Sequence, residues 1–406
     1  MRKILSLAAA GLLAGTSLQA QTPTVDTRYQ AYTKVSGISG NASSIGSDTM
    51  NNLMTLWLEG FRKYYPNVTI QIEGKGSSTA PPALIEGTAQ FGPMSRPMKS
   101  TEVDQFEAKY GYKPTALGTA LDALAVFVNK DNPIQGLSLA QVDAIFSKTR
   151  KSGAPEDITS WGQLGLKEDW AGAHISLYGR NSASGTYGYF KDHALAKGDY
   201  KDEVKEQPGS SSVVQGITTD RFGIGYSGLG YVTSGVRAVP LAAKEGEAFK
   251  EGTLQNVLEG SYPLGRYLFL YINKAPGKEP DSLVREFAKF VFSKEGQEIV
   301  IKDGFMPVPF EVAPSEFDAW AREVLEAIPG VEIPRDPRTK VWLVAIDDHC
   351  QRYAVRFWAT EFRIHDDLES DLLKGLWYKF AERGLRFPAR YQTIQVAPEL
   401  PPGPRA

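Results

Sequence analysis

Three segments of this chain share one physical arrangement: a strand pattern, a turn rich in glycine and hydroxyls, then a helix pattern. They are Gly46-Ser47-Asp48-Thr49, Gly74-Lys75-Gly76-Ser77-Ser78-Thr79 and Gly179-Arg180-Asn181-Ser182-Ala183-Ser184-Gly185-Thr186. A helix start exposes unpaired backbone N–H groups and the positive end of its dipole. Glycine lets the backbone approach a ligand, and Ser or Thr adds a short neutral donor. Such a start holds a tetrahedral oxyanion without a full set of counter-charges. An ordinary Ser/Thr N-cap accounts for any one segment alone. Three together constrain the fold more, because in an open α/β sheet the strand carboxyl ends and following helix starts converge on one crevice.

The rest of the chain follows the same alternation. Met50, Leu53, Met54, Trp57, Leu58 and Phe61 have the 3-and-4 spacing of an amphipathic helix over 49–65. Strands are predicted at 68–72, 123–128, 174–178 and 221–226, and helices at 83–87, 139–146, 187–196 and 282–303. Beyond Phe310 glycine thins out. A helix pattern at 315–328, a linker with three prolines over 329–338, strands at 341–346 and 353–362, a helix at 366–382 and a strand at 391–396 form a separate small α+β unit. Residues 397–406 are a Pro-rich tail.

Composition removes several function classes. The chain has 406 residues and a formal net charge of -2, so nucleic-acid or membrane-surface binding driven by bulk charge is not expected. Its one cysteine, Cys350, excludes an intrachain disulfide and a Cys-based zinc cluster. Four scattered histidines suggest no metal site, and no cofactor motif is present. Lys75 precedes Gly76 instead of following it, so the phosphate loop of nucleotide hydrolases is not matched. No nucleophile with a paired base is seen, so no catalytic residue is assigned. Residues 1–20 read as a secretory signal peptide: Arg2 and Lys3, an apolar run over 4–18, and Ala20 before the cleavage point. The apolar run falls short of the ~20 residues that span a bilayer.

Arg180 and Arg96 are the two candidate cations, since a guanidinium fork can bind two oxygens at once. Asp122 interrupts the apolar run over 121–128. It is read either as an acceptor for the proton of HPO4²⁻, which sulfate lacks, or as a structural hydrogen-bonding group. Asp48 is the alternative acceptor.

Taken in order, GSDTM (46–50), GKGSSTA (74–80), FGPMSRPM (91–98), LDALAVFVNKDNP (121–133), GRNSASGTYGYF (179–190), IGY (224–226) and GFMPVP (304–309) resemble the phosphate-binding proteins of ABC phosphate transporters. That group belongs to the type II periplasmic binding proteins. The resemblance covers 36–310 and implies two α/β lobes joined by crossing strands, with inorganic phosphate held between them. It implies anion contacts from Ser47, Thr49, Ser77, Ser78, Ser95, Arg96, Arg180, Ser184, Gly185 and Thr186, and it leaves the proton acceptor open between Asp122 and Asp48. A periplasmic location and a membrane permease as partner follow from the same likeness. Two departures stand out: many relatives carry an acidic residue in the block where this chain has Ser95-Arg96, and Asp48, if it points inward, would repel the ligand. The alternatives are a binding protein for another tetrahedral oxyanion and a phosphate-ester hydrolase.

Residues 319–396 resemble the cytoplasmic C-terminal α+β domain of MscS-like mechanosensitive channels, carried by AIPGVEIPRDPRTKVWL (327–343), YAVRFWATEF (353–362) and ERGLRFPARYQTIQV (382–396). The membrane helices of that family are missing, so channel activity is not implied. The likeness leaves two expectations, a fused tail with no role in binding or self-association through it, and Cys350 could cross-link two chains in an oxidising compartment.

Overall fold

The computed structural model describes residues 23–275 and 280–310, and the backbone of 340–347 and 350–356. The chain divides into two compact units, Met1–Ala313 and Pro314–Ala406.

One 15-residue strand, Thr115–Asn129, organises the larger unit. Leu121 to Val128 is buried throughout, and Asp122 is its one polar member. This is the near-continuous apolar run of a strand covered on both faces. Its first part pairs antiparallel with Gly265–Ile272, which also pairs with Gly92–Met94. Its last part pairs antiparallel with Gly223–Gly228 and Val236–Val239. Gly223–Gly228 lies parallel to Ser176–Arg180, which lies parallel to Lys205–Gln207. The chain thus leaves a first lobe along Thr115–Asn129 and returns to it along Gly265–Ile272. Two strands crossing between two lobes make a hinge.

Each lobe buries a core of its own. In the first, Trp57 and Phe61 pack with Phe91, Phe287 and Phe290. In the second, Phe146, Trp161, Phe190 and Tyr226 form the centre. Separate cores let the lobes move as rigid bodies, since close-packed interiors do not deform continuously.

The amphipathic helix predicted over 49–65 is the Asn51–Arg62 helix, with Leu53, Met54, Trp57 and Phe61 buried as the spacing requires. It joins two parallel strands, Gly40–Ile45 and Val68–Glu73. The predicted second helix begins three residues earlier, as Ala80–Glu86, because Pro81 and Pro82 sit in its first turn where a missing N–H costs nothing. The single helix expected over 282–303 is two helices, Ser282–Val291 and Lys294–Lys302. Ser293 ends one and starts the other: its hydroxyl donates to Phe290 O and accepts from Gly296 N. The Ser100–Tyr110 and Ser210–Thr219 helices and the Gly265–Ile272 strand were not anticipated from the sequence.

In the smaller unit, Lys340–Asp347 pairs antiparallel with Cys350–Arg356. These match the two strands expected there, the second starting earlier, at Cys350 itself. The remaining elements expected after Phe310, and the signal segment, lie outside the described residues. Among the described residues no helix is long and apolar enough to cross a membrane.

Candidate functional site

All three glycine-hydroxyl segments sit at carboxyl ends of parallel strands. Gly46 follows Gly40–Ile45, Gly74 follows Val68–Glu73, and Asn181 follows Ser176–Arg180. The first two belong to one lobe and the third to the other. They face each other across the hinge, at the crevice where open α/β sheets take ligands.

The hydroxyls converge. Thr49 Oγ1 lies 2.9 Å from Thr186 Oγ1, across the lobes. Ser95 Oγ lies 3.4 Å from Thr186 Oγ1 and 3.2 Å from Ser77 Oγ, and Ser95 N donates to Ser77 Oγ at 3.0 Å. Thr49, Ser77, Ser95 and Thr186 are all buried. Ser184 caps the Gly185–His193 helix, accepting from Tyr187 N. The helix start itself is pressed into the cluster: a Cβ on Gly185 would stand 2.2 Å from Ser77 Oγ and 2.8 Å from Ser95 Oγ. Gly76 is fixed twice over, by a φ of 110° and because a Cβ there would meet Ala183 O at 2.4 Å. Beside it Ser78 N donates to Ala183 O at 3.1 Å, a main-chain bond between the lobes.

Two buried groups in this region keep unused hydrogen-bonding capacity: Ser47 Oγ and Arg180 Nε have no partner among the described residues. Since buried donors are almost always satisfied, they point to a ligand between the lobes. Arg180 is 1% exposed. Its Nη1 donates to Ser210 Oγ at 2.7 Å, its Nη2 to Pro208 O at 3.1 Å, and its main-chain N to Tyr226 Oη. Burial pulls the Arg180 pKa below its usual value, and the nearby Asp48 carboxylate opposes that shift.

Each of the three arginines around the site has its own carboxylate. Asp48 Oδ2 lies 3.2 Å from Arg180 Nη2. Arg96 is held bidentately by Glu102 at 2.7 and 2.8 Å, and its Nη2 also reaches Ser78 Oγ. The Arg96 fork, expected to meet the anion together with the Ser78 hydroxyl, is engaged with Glu102 and with Ser78 itself. Asp122 pairs with Arg266, its register partner across the two crossing strands, through Nε at 2.9 Å and Nη2 at 2.7 Å. Arg266 Nη1 donates to Ser95 O, and Leu229 N donates to Asp122 Oδ1 at 3.3 Å. Asp122 is thus first a hinge ion pair. Of about four lone-pair sites on an ionised carboxylate, these bonds leave one, on Oδ1.

Arg266, Ser210 and Tyr226 escaped sequence reasoning. Arg266 left a usable signal: it interrupts an apolar strand run just as Asp122 interrupts another, with opposite sign. With its cations neutralised internally, the cleft offers an anion hydroxyls, main-chain N–H groups, a helix start and one open guanidinium edge. Among the described residues, no cluster of His, Cys, Asp and Glu could hold a metal.

Comparison with known proteins agrees with this geometry. A PBP superfamily domain model matches residues 19–295. The chain is 57% identical over 309 residues to the phosphate-binding protein PstS of Pseudomonas aeruginosa, an alignment covering 76% of this chain and 94% of that protein. It is 30% identical over 268 residues to the protein SphX of Synechococcus elongatus, covering 65% of this chain and 76% of that one. Among solved structures it is similar to a substrate-binding protein assigned to a phosphate ABC transporter of Clostridium perfringens, solved with phosphate bound. That match has 26% identity and a TM-score of 0.56, over 66% of this chain and all of the other. An ABC-type phosphate transport receptor from Vibrio cholerae, at 20% identity and a TM-score of 0.52, shares the fold. The superfamily model ends at residue 295, so the channel-like reading of the C-terminal segment takes no support from it. On its lobes, its crevice and its relatives together, the chain belongs to the PstS-like phosphate-binding proteins of the PBP superfamily, a family of transport substrate-binding proteins and not of enzymes.

Proposed function

We propose that the protein captures inorganic phosphate between its two lobes and delivers it to the membrane permease of an ABC transporter. The observation that carries this reading is the convergence of Thr49, Ser77 and Ser95 from one lobe on Gly185 and Thr186 of the other. Ligand binding then closes the lobes about the crossing strands, a known switching mode of hinged proteins. Ser47, with its unused hydroxyl, and Arg180, with its unused Nε, complete the cradle, and the Ser184-capped helix start supplies N–H donors. We assign the preference for HPO4²⁻ over sulfate to the remaining lone pair of Asp122 Oδ1, which can accept a proton that sulfate does not have.

The remaining parts of the proposal come from the sequence. Residues 1–20 direct secretion, and the mature protein works in the periplasm. Residues 36–310 form the binding domain, and 319–396 a separate domain whose likeness to a channel vestibule favours self-association. An assay of purified protein for co-purified orthophosphate, beside an assay of turnover with a generic phosphate ester, tests the reading. Stoichiometric phosphate without turnover is expected; ester hydrolysis above background would replace binding with catalysis.

A further inference from the structure

Asp48 looks at first like an error in an anion site. It belongs to the first lobe, in the turn before the Asn51–Arg62 helix. Its carboxylate reaches the second lobe. Oδ2 accepts from Ser210 N, at the start of the Ser210–Thr219 helix of the second lobe, at 2.8 Å. The same oxygen lies 3.2 Å from Arg180 Nη2, also in the second lobe. The Asp48 side chain is 26% exposed and that of Arg180 is 1% exposed, so the carboxylate sits on the solvent side of the guanidinium. Asp48 also lines a polar pocket of about 360 Å³ with Asn51, Asn52, Tyr231 and Asp303, open to solvent at that edge.

Resting on the phosphate-capture reading above, we propose that Asp48 is an interlobe latch. It bonds the Ser210–Thr219 helix start and orients Arg180 only when the lobes are closed. The other hydrogen bonds described between the lobes are neutral: Thr49 and Ser95 with Thr186, Ser78 N with Ala183 O, and Tyr231 Oη donating to the main-chain O of Asp48 and Thr49. Asp48 supplies the charge-assisted one, and such bonds are about twice as strong as neutral ones. A carboxylate placed on the outer side of Arg180 therefore holds the closed state without taking the ligand's position. It acts on release more than on capture, because the bond to Ser210 N forms only after the lobes have met. Asp48 is a positioning residue in this scheme.

The test uses the full chain, with Asp48→Ala and Asp48→Asn, and inorganic phosphate as the probe. Stopped-flow mixing gives the association and release rates, and small-angle scattering of phosphate-free protein gives the radius of gyration. Asp48→Ala is expected to release phosphate about tenfold faster, with association changed less than about twofold, since affinity changes within one interface reside mostly in dissociation. Asp48→Asn, whose side-chain oxygen can still accept from Ser210 N, is expected to recover part of the slow release. It also serves alone if Asp48→Ala does not fold. Without phosphate, Asp48→Ala is expected to shift toward the larger radius of an open form. Unchanged release and unchanged radius in both variants would overturn the latch, as would tighter binding in Asp48→Ala, which would make Asp48 a like-charge competitor. A parent protein that fails to bind phosphate would defeat the phosphate reading instead, and the phosphate-free scattering comparison would still decide the latch.

Discussion

At the scale of single residues, the site is a division of labour between neutral donors and already paired charges. Arg180 is paired with Asp48 yet keeps an open edge, because its Nε has no partner among the described residues while its two Nη atoms are committed. Arg180→Ala removes the open edge and leaves Asp48 facing the cleft without a counter-ion. Loss of a charge-assisted hydrogen bond costs about 1.5–3 kcal/mol, so phosphate affinity should fall by one to two decades in calorimetric titration. Parent-like binding by this variant would show that the guanidinium does not touch the ligand. The hydroxyls of this site were legible in sequence because glycine and Ser/Thr at helix starts have a local physical meaning. The ion pairs were not. Asp122 and Arg266 are 144 residues apart, and only the register of two strands brings them opposite one another. The Arg96–Glu102 pair also went unread, although the two residues lie just six positions apart.

At the scale of elements, helix starts are where this fold becomes a binding protein. The Gly185–His193 helix opens against Ser77 and Ser95 of the opposite lobe with no room for a methyl group. Gly185→Ala should leave each lobe's core intact and hold the cleft apart. A loss of roughly 100-fold in phosphate affinity, about 2.7 kcal/mol, with an unchanged circular dichroism spectrum, is expected. Parent-like affinity would mean the lobes do not meet at this helix. At the other end of a helix, Asp303 is the C-cap of Lys294–Lys302, where a negative charge meets the negative end of the dipole. Burial pushes its pKa up from 3.8 to about 6, against a hydrogen bond from Asn52 that acts the other way. A raised folded-state pKa means that the native state binds the proton more tightly than the unfolded chain. Stability from this group is therefore full below about pH 4 and lost as pH rises through about 6. Asp303→Asn should raise stability by about 1 kcal/mol at pH 7.5, once solvent screening of a partly exposed group is allowed for. Denaturant midpoints of variant and parent should converge below pH 4. Helices with clear apolar periodicity, such as Asn51–Arg62, were readable from sequence. Ser210–Thr219 was not, because three serines and two valines in its first five residues are poor helix formers. It is held by Val213, Val214 and Ile217 in the core and by Asp48 at its start.

At the scale of the molecule, two crossing strands and two cores give a hinged clamp within Met1–Ala313, separate from Pro314–Ala406. Every residue assigned to the cleft lies before Phe310, so a chain ending there should bind phosphate within about twofold of the full-length affinity. Loss of binding on truncation would make the C-terminal unit part of the binding machinery. The strand and helix alternation made an α/β class legible, and the two-lobed plan followed from the resemblance carried by the glycine-hydroxyl blocks. The hinge was harder to see, since one of its two strands, Gly265–Ile272, follows a stretch that offers little local signal before it. Isothermal titration of the full-length protein with orthophosphate, repeated with sulfate across pH 6 to 8, tests the central claim most directly. One phosphate per chain, bound at least tenfold more tightly than sulfate throughout that range, is the predicted result; equal binding of the two anions, or no phosphate binding at all, would contradict it.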